Sequence, residues 1–144
     1  MSRGAPGLAG AIAGVGVDAV DVARFRRVLE RRPNFAVRCF TESERADATG
    51  SADVAQSLAA RFAAKEAVMK ALGTGIGGFP LTEVEVCRTA GKGATRHAPY
   101  LRLHGAAAEL AGAQGAGAFH LSLTHTDGVA IAFVVAEQAP CAPS

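Results

Sequence analysis

Gln56–Leu72 reads QSLAARFAAKEAVMKAL. Leu58, Phe62, Met69 and Leu72 recur at helical spacing and share one face, while alanines fill much of the rest, so the stretch is predicted to be an α-helix. Gly73 stops it, because glycine adopts the left-handed cap with little strain. Downstream, Thr82–Arg88 (TEVEVCR) and Pro99–His104 (PYLRLH) alternate as strands do, and Gly105–Gly112 reads as a short Ala-rich helix. HLSLTHT (120–126) and VAIAFVVA (129–136) flank a turn at Asp127-Gly128, the pattern of a hairpin. Upstream, Gly14–Val20 (GVGVDAV) alternates Val15, Val17 and Ala19 like a short, partly buried strand that Asp18 interrupts. From about Asp21 to Arg32, Val22, Phe25 and Leu29 fall at i, i+3 and i+7 of an amphipathic helix stopped by Pro33. Helices and strands mix without a βαβ rhythm, so the predicted class is α+β.

The chain has 144 residues, 49% of them apolar, which suits one core and not comfortably two. Residues 1–13 read as a flexible Gly/Ala-rich leader, 14–137 as a single domain and 138–144 (QAPCAPS) as a flexible tail. No apolar run approaches the roughly 20 residues of a membrane span. The formal charge of +2 is too small to imply nucleic acid by itself. Cys39, Cys87 and Cys141 are odd in number, far apart and without a CxxC pair. They exclude a disulfide scaffold or zinc knuckle and suit a reducing cytoplasm.

Three polar features stand out. Asp18 lies among valines in the first strand, where a carboxylate needs water, a partner or a metal; the plainer alternative is that it ends the strand and caps the next helix. In RFAAKEAVMK (61–70), Glu66 and Lys70 lie one above the other four residues apart. They read either as a site or as a solvated ion pair worth about 0.2–0.5 kcal/mol. Lys65 falls near the middle of the apolar stripe, and snorkelling along its neighbours is the plainer account. His125 closes a strand, where a histidine is commonly structural. A Ser122–His125–Asp127 triad is rejected, because residues three apart in a strand point to opposite faces.

Two glycine patterns are decoys. Gly73–Gly78 matches GxGxxG and Gly14–Ala19 matches GxGxxA, but the dinucleotide mechanism needs glycines that follow a strand and open a helix. The first follows a helix and the second is the strand itself. The Gly73–Gly78 loop can still offer backbone N–H groups to a phosphate.

Taken together, GVGVDAVDVARF (14–25), FTESE (40–44), RFAAKEAVMKALGTGIG (61–77) and LSLTHTDGVAIAFVV (121–135) closely resemble the holo-[acyl-carrier-protein] synthase family of small phosphopantetheinyl transferases. The likeness runs from Gly14 to about Glu137. It implies a mostly antiparallel sheet around one long central helix. It also implies transfer of 4′-phosphopantetheine from coenzyme A to a serine of an apo-acyl carrier protein, releasing adenosine 3′,5′-bisphosphate. By the same resemblance Asp18 and Glu66 bind Mg²⁺, Lys70 contacts phosphate, and Arg61, Gly73, Thr74, Gly75 and His125 line the coenzyme A site. Asp18, Glu66 and Lys70 form the catalytic set, with Glu66, or a metal-bound water it orients, as the candidate base. Arg24, Arg27 and Arg31 form a basic stripe, generically a solvated face. The resemblance makes Arg24 and Arg31 the docking residues for the acidic carrier helix. It further implies a cytoplasmic homotrimer with sites shared between neighbours, acting on carriers of fatty-acid, polyketide or peptide synthesis. The segment before Pro99 departs from the family's usual Gly-Lys-Pro, which bears on loop contacts and not on the metal site. Two alternatives remain: a non-catalytic coenzyme A-binding module on the same fold, and a basic protein that binds acidic partners through its first helix.

Overall fold

The structure is a computed structural model that describes residues 11–75, 77–88 and 98–140. Residues 1–10 of the leader, Ile76 of the glycine loop, the Gly/Lys segment before residue 98, and Cys141 with the end of the tail lie outside the described residues. The expected long helix is α4 (Val54–Ala71), 18 residues and so about 27 Å long. Asp53 caps it, its carboxylate accepting the Gln56 amide at 3.1 Å. Instead of one buried stripe, α4 is buried nearly all round: Ala59, Ala63, Ala64, Ala67 and Val68 are fully enclosed, as is Lys65. Alanine permits this, because a helix with so little side-chain bulk lets neighbouring backbones close in from every direction.

The closest neighbour is β1 (Ile12–Asp21), which begins two residues ahead of the predicted strand. It pairs antiparallel with β5 (Val129–Gln138), which pairs antiparallel with β4 (Ala116–His125). Asp18 lies opposite Ala132 and Val17 opposite Phe133. The face of β1 turned to α4 carries Gly14 and Gly16. A Cβ there would sit 1.9 Å from the Ala71 carbonyl oxygen and 1.8 Å from that of Ala67. Helix and strand therefore touch backbone to backbone. The alternation of Val15 and Val17 predicted the opposite face as the buried one. Instead Val15 is 49% and Val17 52% exposed, with Phe133 at 45% beside them on β5. The pattern misleads because the buried side of this strand has no side chains to count. β5 supplies the rest of the contact with small inward residues, Ala130, Ala132, Val134 and Ala136, all fully buried.

Two groups of elements close the core. On one flank, β2 (Val84–Arg88) and β3 (Pro99–Leu103) form a separate antiparallel pair, preceded by a 3₁₀ turn at Leu81–Glu83 where the alternation had suggested strand from Thr82. The helix α5 (Gly105–Ala113) packs there through Ala107 and Ala111. On the other flank lie α1 (Val22–Arg31), α2 (Phe35–Cys39) and α3 (Glu42–Thr49). Phe25 is the hub of that flank, with ring centroids of Phe62, Phe35 and Phe40 at 5.4, 5.8 and 6.4 Å. Asp21 caps α1, accepting the Arg24 amide at 2.8 Å, so Asp18 is not the cap. The β4–β5 turn is at the predicted place, Thr126 donating its amide to the Val129 carbonyl at 2.8 Å. The α+β class and the antiparallel sheet around one central helix are as expected. β5 extends to Gln138, one residue into the stretch read as tail.

The glycine contact makes a direct prediction. Gly16→Ala drives a methyl into the Ala67 carbonyl and is expected to cost about 3 kcal/mol, the upper range for overpacking, lowering Tm by roughly 6–12 °C. Gly112→Ala, at an exposed helical position with open space around it, should instead gain about 0.4–1 kcal/mol. Equal melting of the two variants would refute the close approach.

Candidate active site

Because β1 lies against the last turns of α4, its one inward carboxylate meets that helix. Lys70 Nζ donates to Asp18 Oδ1 at 3.0 Å and to the Val17 carbonyl at 2.9 Å. The lysine thus reaches across to the strand, in place of the solvated Glu66–Lys70 pair that spacing alone suggests. Glu66 stands on the same side, one turn earlier. Its carboxyl is pushed above the ordinary glutamate range, first by burial and then by the Asp18 carboxylate, with Lys70 opposing. Two carboxylates and one lysine therefore converge at the end of β1, and the pair is short of positive charge.

Asp18 and Glu66 open onto a groove of about 740 Å³ that runs along α1. Arg24 and Arg31 line its rim, and Phe25, Val28, Phe35 and Phe62 give it an apolar floor. The predicted docking arginines and the predicted ligand pair thus share one depression. Arg61 and His125 do not join them. They line a second cleft, of about 310 Å³, beside Ser57, Arg88 and Pro99. Arg61 is only 2% exposed. Its Nη1 donates to the Ser57 carbonyl and hydroxyl, its Nη2 lies 3.8 Å from Asp47, and its Nε has no partner. Burial, and next the charge of Arg88, push the guanidinium below its ordinary value. An anion in this cleft would relieve both. His125 shares the inward parity of Leu123, whereas Ser122 points outward with Thr124, so the rejected triad is indeed split between faces.

The loop after α4 is partly committed already. Gly73, at φ +68°, donates its amide to the Lys70 carbonyl at 3.1 Å, and Thr74 donates to the Met69 carbonyl at 3.0 Å. These amides finish the helix, which leaves the Gly75 amide as the better candidate donor to a phosphate.

The chain has known relatives. The model of the 4′-phosphopantetheinyl transferase superfamily matches residues 14–134. The chain belongs to that superfamily. The transferase is 48% identical over 126 residues to a holo-[acyl-carrier-protein] synthase of Clavibacter sepedonicus, covering 88% of this chain and 96% of the relative. Among solved structures, the holo-[acyl-carrier-protein] synthase of Neisseria meningitidis superposes with a TM-score of 0.78 at 31% identity, over 88% of this chain and 99% of that one. That of Bacillus anthracis, in complex with CoA (3′,5′-ADP), gives 0.70 at 33% identity over 89% and 98%. The protein is accordingly an enzyme of the holo-[acyl-carrier-protein] synthase type.

Sequence reading missed the partner of Lys65. The ammonium does not snorkel; it is fully buried against an equally buried Glu44, Nζ to Oε1 at 2.7 Å. Burial pushes the lysine below its ordinary range and Glu44 draws it back up. The available signal was Thr41-x-x-Glu44, a capping-box spacing that places Glu44 in the first turn of α3.

The Glu66 shift has a sign that can be tested. A carboxyl whose folded pKa is raised lowers stability as pH rises above the ordinary glutamate value. In metal-free protein, Glu66→Gln is therefore expected to melt above the parent at pH 7, with the gap closing as pH falls through the glutamate range. A variant that melts at or below the parent at pH 7 would contradict this.

Proposed function

We propose that the transferase moves the 4′-phosphopantetheine arm of coenzyme A onto a serine of an apo-acyl carrier protein in a Mg²⁺-dependent reaction. The observation that carries this reading is that Asp18, paired with Lys70, and Glu66 both line a groove rimmed by Arg24 and Arg31. The relative in complex with CoA (3′,5′-ADP) supports coenzyme A as the donor. The donor set suits magnesium: two carboxylates, no soft ligand, and Glu66 held in an electrostatically unfavourable place beside Asp18. No cluster of three acidic, histidine or cysteine side chains occurs among the described residues. Diphosphate oxygens and waters would complete the coordination, as this ion prefers. When bound, it would offset charge on the diphosphate.

The residues divide the work accordingly. The carrier's serine oxygen attacks the phosphorus bearing pantetheine, and the bond to the departing adenosine 3′,5′-bisphosphate breaks. Glu66, or a water it orients, takes the serine proton. Lys70, anchored on Asp18 and half exposed, places a positive charge where the diphosphate must lie. Arg24 and Arg31 face the carrier's acidic helix, where rim charges speed encounter and set specificity. Arg61 and His125, in their own cleft, and the Gly73, Thr74 and Gly75 loop at the far end of α4 are assigned to the nucleotide end.

Because the two clefts are separate within one chain, we place them on neighbouring subunits of a homotrimer, with each site completed across the interface. The exposed Val15, Val17 and Phe133 form an apolar sheet face that supports such burial. No helix is long and apolar enough to cross a membrane among the described residues. Cys39 and Cys87 are free, in keeping with a reducing cytoplasm.

With an apo-acyl carrier protein, coenzyme A and Mg²⁺, the carrier's intact mass should rise by one phosphopantetheine. The gain should vanish with Glu66→Ala or without metal; no gain with several carriers despite coenzyme A binding would leave only a binding module. In the same assay Arg24→Glu should raise KM for the carrier at low salt, and an unchanged KM would remove α1 as the docking face. Light scattering should give three chain masses, and a single-chain mass would exclude the shared site.

A further inference from the structure

Lys65 precedes Glu66 on α4, yet none of the chemistry above uses it. Its three ammonium hydrogens have three acceptors: Glu44 Oε1 at 2.7 Å, the Leu81 carbonyl at 3.0 Å and the Val84 carbonyl. Glu44 in turn accepts the Thr41 amide at 3.0 Å and the Val86 amide at 3.1 Å. The knot binds α4 to the start of α3, to the 3₁₀ turn and to β2. As a source of stability it is a poor choice, since apolar groups of the same volume commonly do as well as a buried ion pair. What it supplies is direction.

Direction is weaker where α4 meets the two glycines of β1. Helices are normally fixed in roll by side-chain ridges seated in grooves. Against β1, α4 rests on Gly14 and Gly16 through the backbone at Ala67 and Ala71, and at those two positions the strand has no side chain to interlock. Beyond them, Asp18 reaches the helix through the Lys70 ammonium and Val20 packs on the core. At about 100° per residue, those two alanines lie roughly 200° and 240° around the helix from Lys65, nearly opposite it, and Glu66 lies between. A carboxylate about 5–6 Å from the helix axis moves on the order of 1 Å when the helix rolls by about 10°, and such a displacement can cost about a hundredfold in rate.

We infer that the buried Lys65–Glu44 pair is the positioning device of the active site, holding α4 at the roll that turns Glu66 toward Asp18. The inference rests on the reading of Asp18 and Glu66 as the reacting end. The test is Lys65→Met combined with Glu44→Gln, which removes both charges together and keeps a carbonyl for the α3 cap. The comparison is Val134→Ala, a core change in β5 that loosens packing against α4 but removes no charge and no hydrogen bond of the knot. Steady-state turnover is measured with an apo-acyl carrier protein, coenzyme A and Mg²⁺ at a temperature where all variants are folded.

The double variant should lose about 10- to 100-fold in kcat relative to Val134→Ala, with KM for both substrates little changed. Turnover equal to that of Val134→Ala would overturn the inference. Should the double variant fail to fold, Glu44→Gln alone decides, since it keeps an acceptor for Lys65. It should lose at least about threefold in kcat beyond the control, and no loss overturns the inference. Glu66→Gln in the same assay separates the two readings. If it is inactive while the double variant matches the control, the positioning inference alone fails. Full turnover of Glu66→Gln would overturn the site and this inference with it.

Discussion

Where β1 passes under α4, the carbonyl oxygens of Ala67 and Ala71 fill the space that side chains at Gly16 and Gly14 would need. The approach is possible only because one partner has no Cβ and the other, Ala-rich, has almost no bulk. It sets the depth of the molecule. With the backbones in contact, Asp18, the next inward residue of β1 after the glycines, meets the helix side chains at the distance of a hydrogen bond. A strand held away by ordinary side chains, at the ~10 Å spacing usual between packed layers, would leave the carboxylate out of reach of Lys70.

The same closeness creates a local electrostatic conflict. Glu66 and Asp18 raise each other's energy as charged groups, and burial adds to the cost for Glu66. One ammonium, Lys70, is shared with a main-chain carbonyl and does not cancel both charges. A site in this condition binds a cation or a proton more readily than exposed carboxylates would, which suits a reaction on a diphosphate. Such crowding costs stability in the metal-free protein, as charge-crowded sites commonly do. Lys65 illustrates the other treatment of a buried charge. There every hydrogen is satisfied and the carboxylate is paired, so the group is inert and structural.

The surfaces follow from the core. Since small residues fill the inward face of the sheet, the larger apolar side chains of β1 and β5 are turned outward, at Val15, Val17 and Phe133. An apolar sheet face of that kind favours burial against another chain. In the proposed trimer, the cleft holding Asp18 and Glu66 and the cleft holding Arg61 and His125 would meet across the interface.

Much of this was legible in the linear sequence. The long alanine helix, the hairpin at Asp127-Gly128, the first amphipathic helix and the α+β class follow from periodicity and from the turn preferences of glycine and proline, which act over a few residues. Asp18 was recognisable as a carboxylate among valines, whereas Glu66 and Lys70 by spacing alone suited a solvated pair and stood out through the family resemblance. Tertiary structure decided three things that local pattern cannot hold. It chose which face of β1 is buried, against the valine alternation, because a backbone contact leaves no hydrophobic signature. It paired Lys65 with Glu44 and Lys70 with Asp18, partners 21 and 52 residues apart, because long-range electrostatics depends on how the helix is docked. It also divided the expected site into two clefts, since which residues share a cavity is set by the packing of whole elements and not by their order along the chain.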